Sequence, residues 1–202
     1  MRWISKIPSE DMARKEELMK DGWRPIKEPK TMGAVIAAAI PISFLLLLIV
    51  GGWLTWLFPA FREAMNFEKI TFRIDLKLLL YLIGIYLYIF VHELIHLAMI
   101  PDAFRSPRTF FGLNGFFGFV YSEEIMTKGR FLLVSIMPLF ILSFVASLIL
   151  FALGGYHGYW MLLFLINAAG ACVDIFNILL VGWQVPRKGM IVGNGMATYY
   201  KA

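Results

Sequence analysis

Four long apolar runs punctuate the chain, at about residues 33–58, 76–100, 131–153 and 159–182. Each reaches the roughly 20 mostly apolar residues that a helix needs to cross a bilayer. The first run, "GAVIAAAIPISFLLLLIVGGWLTWLF", follows about 32 polar and charged residues. It also exceeds the roughly 7–15 apolar residues of a signal-peptide core, so it reads as a retained span rather than a cleaved leader. The pattern predicts an all-α membrane protein: a four-transmembrane-helix bundle with a short cytoplasmic N-terminal helix and a small β-hairpin between spans two and three.

The polar stretches between the runs carry their own signals. Within residues 1–32, "PSEDMARKEELMKDG" predicts a short charged helix, capped by Ser9, led by acids and stopped at Asp21-Gly22. Between spans two and three, "RTFFGLNGFFGFVYSEE" places Asn114-Gly115 among aromatic and β-favouring residues, a strong hairpin signal. That segment is greasy for a loop, which reads equally as a hairpin tucked against the cytoplasmic leaflet with an edge able to pair with an extended peptide and as a lipid-dipping loop with no ligand. A second Asn-Gly pair, Asn194-Gly195, marks a small hairpin in the tail. Pro41 and Pro138 fall inside spans one and three, where proline is tolerated and reads as ordinary bundle geometry. The expected division is a cytoplasmic segment 1–32, a four-helix transmembrane domain 33–182 and a cytoplasmic tail 183–202.

Composition agrees with lipid as the solvent. Of 202 residues, 59% are hydrophobic and only 16% charged, against about a quarter charged in soluble domains. Lysine and arginine are distributed unevenly: eight up to residue 32, four between spans one and two, four in loop 101–130, none in loop 154–158 and three in the tail. With both termini cytoplasmic, fifteen lie inside and four outside, as the positive-inside rule requires. The net charge of +5 is then the basic edge of a protein beside anionic lipid and calls for no nucleic-acid partner. Localisation in the cell membrane follows. The single cysteine, Cys172, excludes an internal disulfide.

Span two breaks the apolar pattern with "YIFVHELIHLAMIP", which holds two of the chain's three histidines beside a glutamate. On a helix His92 and His96 lie about 40° apart on one face, and Glu93 about 60° round from His96. Two imidazoles one turn apart can hold a zinc ion, with the glutamate near it as general base: the H-E-x-x-H arrangement. Ionisable groups within a span mark a functional site by default.

A catalytic zinc takes three protein ligands and keeps one position open. The remaining histidine, His157, lies in the opposite loop, most of a membrane away. Asp174 is the acidic residue of the other three spans and so the candidate third ligand. Counted from Pro101 and from Gly182, His92, His96 and Asp174 all lie roughly 8–14 Å below the same boundary. Asn167, seven residues before Asp174, points within about 20° of it and can bind substrate, water or a ligand, or simply tie two helices together. The run "NAAGA" gives small residues where helices approach closely.

HELIH in one span and the aspartate of "NAAGACVD" in a later one resemble the site-2 protease type of intramembrane zinc metalloprotease, whose third ligand is an aspartate on a later transmembrane helix. Over about residues 20–200 the chain is more closely similar to small bacterial membrane proteins described as putative zincin peptidases. Asp174 is followed by Ile175, not by the glycine common in site-2 proteases. The resemblance implies Zn2+ as cofactor, peptide-bond hydrolysis near the cytoplasmic face, and a membrane protein or peptide as substrate. Two other readings use the same residues: a non-catalytic metal-binding adaptor, and a metal or proton transporter. An intact glutamate argues against the first, and the lack of repeats or of a polar path to the outer face against the second.

Overall fold

The computed structural model describes residues 1–65, 75–114 and 117–202. In chain order its elements are β1 (Arg2–Ile4), α1 (Met12–Lys20), β2 (Arg24–Pro25), α2 (Met32–Leu57), α3 (Pro59–Ala64), α4 (Leu76–Met99), β3 (Thr109–Asn114), β4 (Phe117–Ser122), β5 (Met126–Thr127) and α5 (Lys128–Leu139). A π-helical stretch, Phe140–Val145, joins α5 to α6 (Ala146–Ala152); then follow α7 (Gly158–Gly170), α8 (Cys172–Gln184), β6 (Met190–Asn194) and β7 (Ala197–Lys201).

Four helical stretches are long and apolar enough to cross a membrane: Met32–Leu57, Leu76–Met99, Lys128–Ala152 and Gly158–Gln184. They fall on the four runs read from the sequence. Side chains open each of the first three, as the free N–H groups of a helix start require: Thr31 accepts from Ala34 N–H, Asp75 from Leu78 N–H, and Thr127 from Arg130 N–H. Span three carries the π-helical stretch in its middle, and span four breaks at Ala171 into α7 and α8.

Spans three and four form the centre, α2 packing on α7 and α8, α5 on α8 and α4, and α4 on α5, α7 and β4. The main core joins Leu46, Val50 and Leu54 of α2 to Leu139, Met161, Phe164, Ala168 and Ala171. The small residues of "NAAGA" therefore do admit α2, and Ser43 of α2 donates to the Ala169 carbonyl at 3.2 Å. On the outside, Leu45, Leu48, Leu79, Leu82, Leu148 and Leu162 are exposed. Apolar surface of this extent is compatible with cover by hydrocarbon.

The expectation of an all-α molecule with one hairpin is corrected here. Helix makes up 62% of the described residues, but two sheets stand at one end of the bundle. In the first, the order is β1-β3-β4, with β1 parallel to β3 and β4 antiparallel to it, Asn114 pairing with Phe117. The expected hairpin between spans two and three is thus present, while Gly115 of its anticipated Asn114-Gly115 turn lies outside the described residues. In the second, the order β2-β7-β6-β5 weaves the N-terminal segment, the interspan loop and the tail together. All three polar segments therefore share one end of the molecule.

The N-terminal helix also differs in detail: Asp11, not Ser9, caps it, accepting from Ala13 N–H at 2.9 Å and Arg14 N–H at 3.2 Å. Asp11 is placed by Asn194, whose amide brackets its backbone with bonds of 3.2 and 2.9 Å. The β6–β7 turn needs Gly195 at φ +59, and a Cβ there would meet the Ser9 and Pro8 carbonyls. Glu28 secures the other edge by accepting from Thr198 N–H at 2.6 Å and its hydroxyl at 3.2 Å. Burial pushes the Glu28 carboxyl up to about 7. Ion pairing of Arg14 with Glu123 ties the same N-terminal helix to the interspan loop.

Candidate metal centre

His92 and His96 lie one turn apart on the last third of α4 and are buried, as helical spacing predicts. Asp174 lies in the first turn of α8, just past the break at Ala171. These three form a candidate metal-binding group among the described residues, with one ligand atom from each lying within 4.8 Å of the others. His92 Nε2 is 3.2 Å from His96 Nε2 and 3.2 Å from Asp174 Oδ2, and His96 Nε2 is 3.4 Å from Asp174 Oδ1. Tetrahedral zinc with ligand bonds of about 2.0–2.1 Å spaces its ligand atoms about 3.3–3.4 Å apart. The two Nε2 atoms are close to that spacing from each other, and each lies near it from one oxygen of the Asp174 carboxylate, Oδ2 for His92 and Oδ1 for His96.

The hydrogen bonds behind the ligands fix which nitrogen of each ring is free. His96 Nδ1 lies 2.9 Å from the Val134 carbonyl, which can only accept, so Nδ1 carries the proton and Nε2 the lone pair. His92 Nδ1 lies 2.8 Å from Asn167 Oδ1. The Asn167 amide is oriented by its other end, where Nδ2 donates to Ser143 Oγ at 2.8 Å and to the Pro138 carbonyl at 3.3 Å. Ser143 Oγ in turn donates to the Phe164 carbonyl at 3.1 Å. The relay has one consistent direction and makes His92 Nδ1 a donor as well. Two Nε2 atoms and a carboxylate thus converge in a buried space, and with both rings neutral at Nε2 this arrangement favours a cation among them. Zinc, with its preference for neutral imidazole and carboxylate, fits this donor set.

A sequence profile of the family described as putative zincin peptidase matches residues 85–189. The chain belongs to that family. The matched stretch contains His92, Glu93, His96, Asn167 and Asp174, and both strands β3 and β4. No curated protein and no solved structure matches the chain.

Within this zincin peptidase region, Glu93 is buried on α4 and stands apart from the three-residue cluster. Its neighbour is a strand. A Cβ on Gly118 of β4 would come within 2.6 Å of Glu93 Cγ. Glycine at 118 is therefore what allows β4 to lie against the glutamate, and Phe111 of β3 packs edge-on against Phe90 of α4 beside it. Gly118→Val is expected to displace Glu93 or lift β4 away. Because a misplacement of about 1 Å can cost on the order of 100-fold in rate, any hydrolysis that uses Glu93 should fall by that order while metal binding by the separate three-residue cluster holds. Zinc analysis alongside a cleavage assay checks this; an unimpaired Gly118→Val enzyme would show that β4 does not position Glu93.

The other sequence candidates separate cleanly. His157 caps α7, accepting from Tyr159 N–H at 3.2 Å, and is exposed in the far loop. Asn167, left open between several roles, touches His92. Gly118, Val134, Pro138 and Ser143 were not read as site residues. Tyr88 belongs with them: one turn before His92, its hydroxyl donates to the Leu142 carbonyl at 2.7 Å and fastens α4 to the π-helical stretch. The available signal was a proline and a buried serine five residues apart in a span otherwise rich in leucine, isoleucine and phenylalanine.

Proposed function

We propose that this protein is a membrane-embedded zinc metallopeptidase that hydrolyses peptide bonds of membrane-associated proteins or peptides near the cytoplasmic face, with both termini cytoplasmic. The observation that carries the reading is the convergence of His92 Nε2, His96 Nε2 and the Asp174 carboxylate, one oxygen of which lies 3.2 Å from His92 Nε2 and the other 3.4 Å from His96 Nε2, with both imidazole Nδ1 atoms facing oxygen acceptors away from the cluster. His92, His96 and Asp174 hold the metal. Zinc in such a site supplies a Lewis acid that polarises the scissile carbonyl and brings the pKa of water to about 7.

Glu93 does the proton work. It takes a proton from the attacking water as the C–O bond forms, then hands it to the leaving nitrogen as the C–N bond breaks. One water is consumed, and a carboxylic acid and an amine are released. Its burial beside Gly118 keeps the carboxylate short of solvent partners. β4 ends its sheet, so an extended substrate segment can pair with it next to Glu93. An extended segment is what the chemistry needs, since a helix hides its carbonyls in its own hydrogen bonds. A helical substrate therefore unwinds locally before cleavage.

The test is hydrolysis of fluorogenic peptides bearing one apolar segment, by the protein reconstituted in vesicles. Cleavage should stop when a chelator strips the zinc and return with about one equivalent of zinc per chain. Hydrolysis that persists in zinc-stripped protein would overturn the proposal.

A further inference from the structure

We infer that Pro138 is a positioning residue for the metal centre, because it reserves the Val134 carbonyl for His96. The inference rests on the proposal that His92, His96 and Asp174 bind zinc. In an α-helix the N–H of residue 138 bonds the carbonyl of residue 134. Both residues lie within α5, and proline brings no N–H to that bond. Its ring also crowds the carbonyl four residues back and turns it out of the helix. A buried carbonyl left without a partner is costly. His96 Nδ1, at 2.9 Å, is the donor that meets it.

Pro138 is itself fully buried, so this irregularity faces the protein and not lipid. Its own carbonyl accepts from Asn167 Nδ2, the amide whose oxygen faces His92 Nδ1. One residue thus stands behind both ligand histidines: directly for the Asn167 arm, and by omission of an N–H for the His96 arm. Immediately after it the chain widens into the π-helical stretch, which carries Ser143 to Asn167 and presents the Leu142 carbonyl to Tyr88. Wide turns of this kind are frequent at functional sites. Here the irregular backbone of span three supplies the acceptors that a regular helix would spend on itself.

Pro138→Ala separates positioning from simple packing. Alanine restores the N–H, lets residue 138 compete for the Val134 carbonyl and regularises the helix. The helix itself should gain, since proline in a helix interior is strongly disfavoured relative to alanine. Thermal stability of the metal-free protein is therefore expected to hold or rise, while zinc affinity falls about 10- to 100-fold, the usual cost of losing a hydrogen bond behind a ligand. A packing role alone would lower stability and leave affinity unmoved. Nitrogen-15 spectra of the metal-free protein give a second readout: wild-type His96 should carry its proton on Nδ1, and Pro138→Ala should mix in the Nε2 tautomer. Wild-type zinc affinity in Pro138→Ala would overturn the inference, as would a wild-type His96 protonated on Nε2. Wild type that binds no zinc would defeat the metal site instead, and the tautomer spectrum would still test Pro138.

Discussion

Glu93→Gln is expected to retain one zinc per chain and to lose cleavage by about 100- to 10,000-fold, the range general acid–base catalysis contributes. Glutamine keeps the shape that fits against Gly118, where even one added carbon would meet Glu93 Cγ at 2.6 Å. It lacks the ability to take a proton from water and return it to the leaving nitrogen. The glutamate is not part of the three-residue cluster, so metal binding should not register the change. A metal-binding adaptor would leave Glu93→Gln fully functional in whatever process it serves. Measured side by side, zinc content and turnover tell the two apart.

Asp174→Ala is expected to cost the metal itself. A structural zinc site is worth about 10–16 kcal/mol over four ligands, so one ligand carries on the order of 3 kcal/mol, or roughly 100- to 1,000-fold in Kd. Losing the carboxylate also leaves the two Nε2 lone pairs 3.2 Å apart with less negative charge to attract a cation. Asp174→Asn preserves the volume and an acceptor oxygen and should bind zinc at an intermediate affinity. Competition with a calibrated zinc chelator measures all three proteins.

The four spans were legible because lipid demands long uninterrupted runs, and those runs survive whatever the helices do inside them. The three-residue cluster was legible for the opposite reason: ionisable groups are rare in long apolar runs, so His92, His96 and Asp174, with Glu93 beside them, stand out against leucine and isoleucine. Depth counting placed Asp174 beside the histidines because α4 and α8 both end on the side of the bundle that carries the sheets. The break at Ala171 was hidden, since a small-residue stretch in lipid looks alike whether it continues or turns. The sheets were hidden because β1, β2 and β5 have only two or three residues each, and their partners come from segments as far apart as Arg24 and Tyr200. Asp11 displaced Ser9 as helix cap because Asn194, far along the chain, grips its backbone. Pro138 read as plain bundle geometry; its meaning lies in a carbonyl four residues earlier and an imidazole on another span, neither visible from the proline alone.

The most direct test of the metal centre is X-ray absorption at the zinc edge on protein purified without chelators. The expected result is one zinc per chain bound only by nitrogen and oxygen, two imidazoles among the ligands, at bond lengths of about 2.0–2.1 Å, with Asp174→Ala changing the spectrum. Protein that carries no zinc, or zinc whose spectrum is the same in wild type and Asp174→Ala, would contradict it.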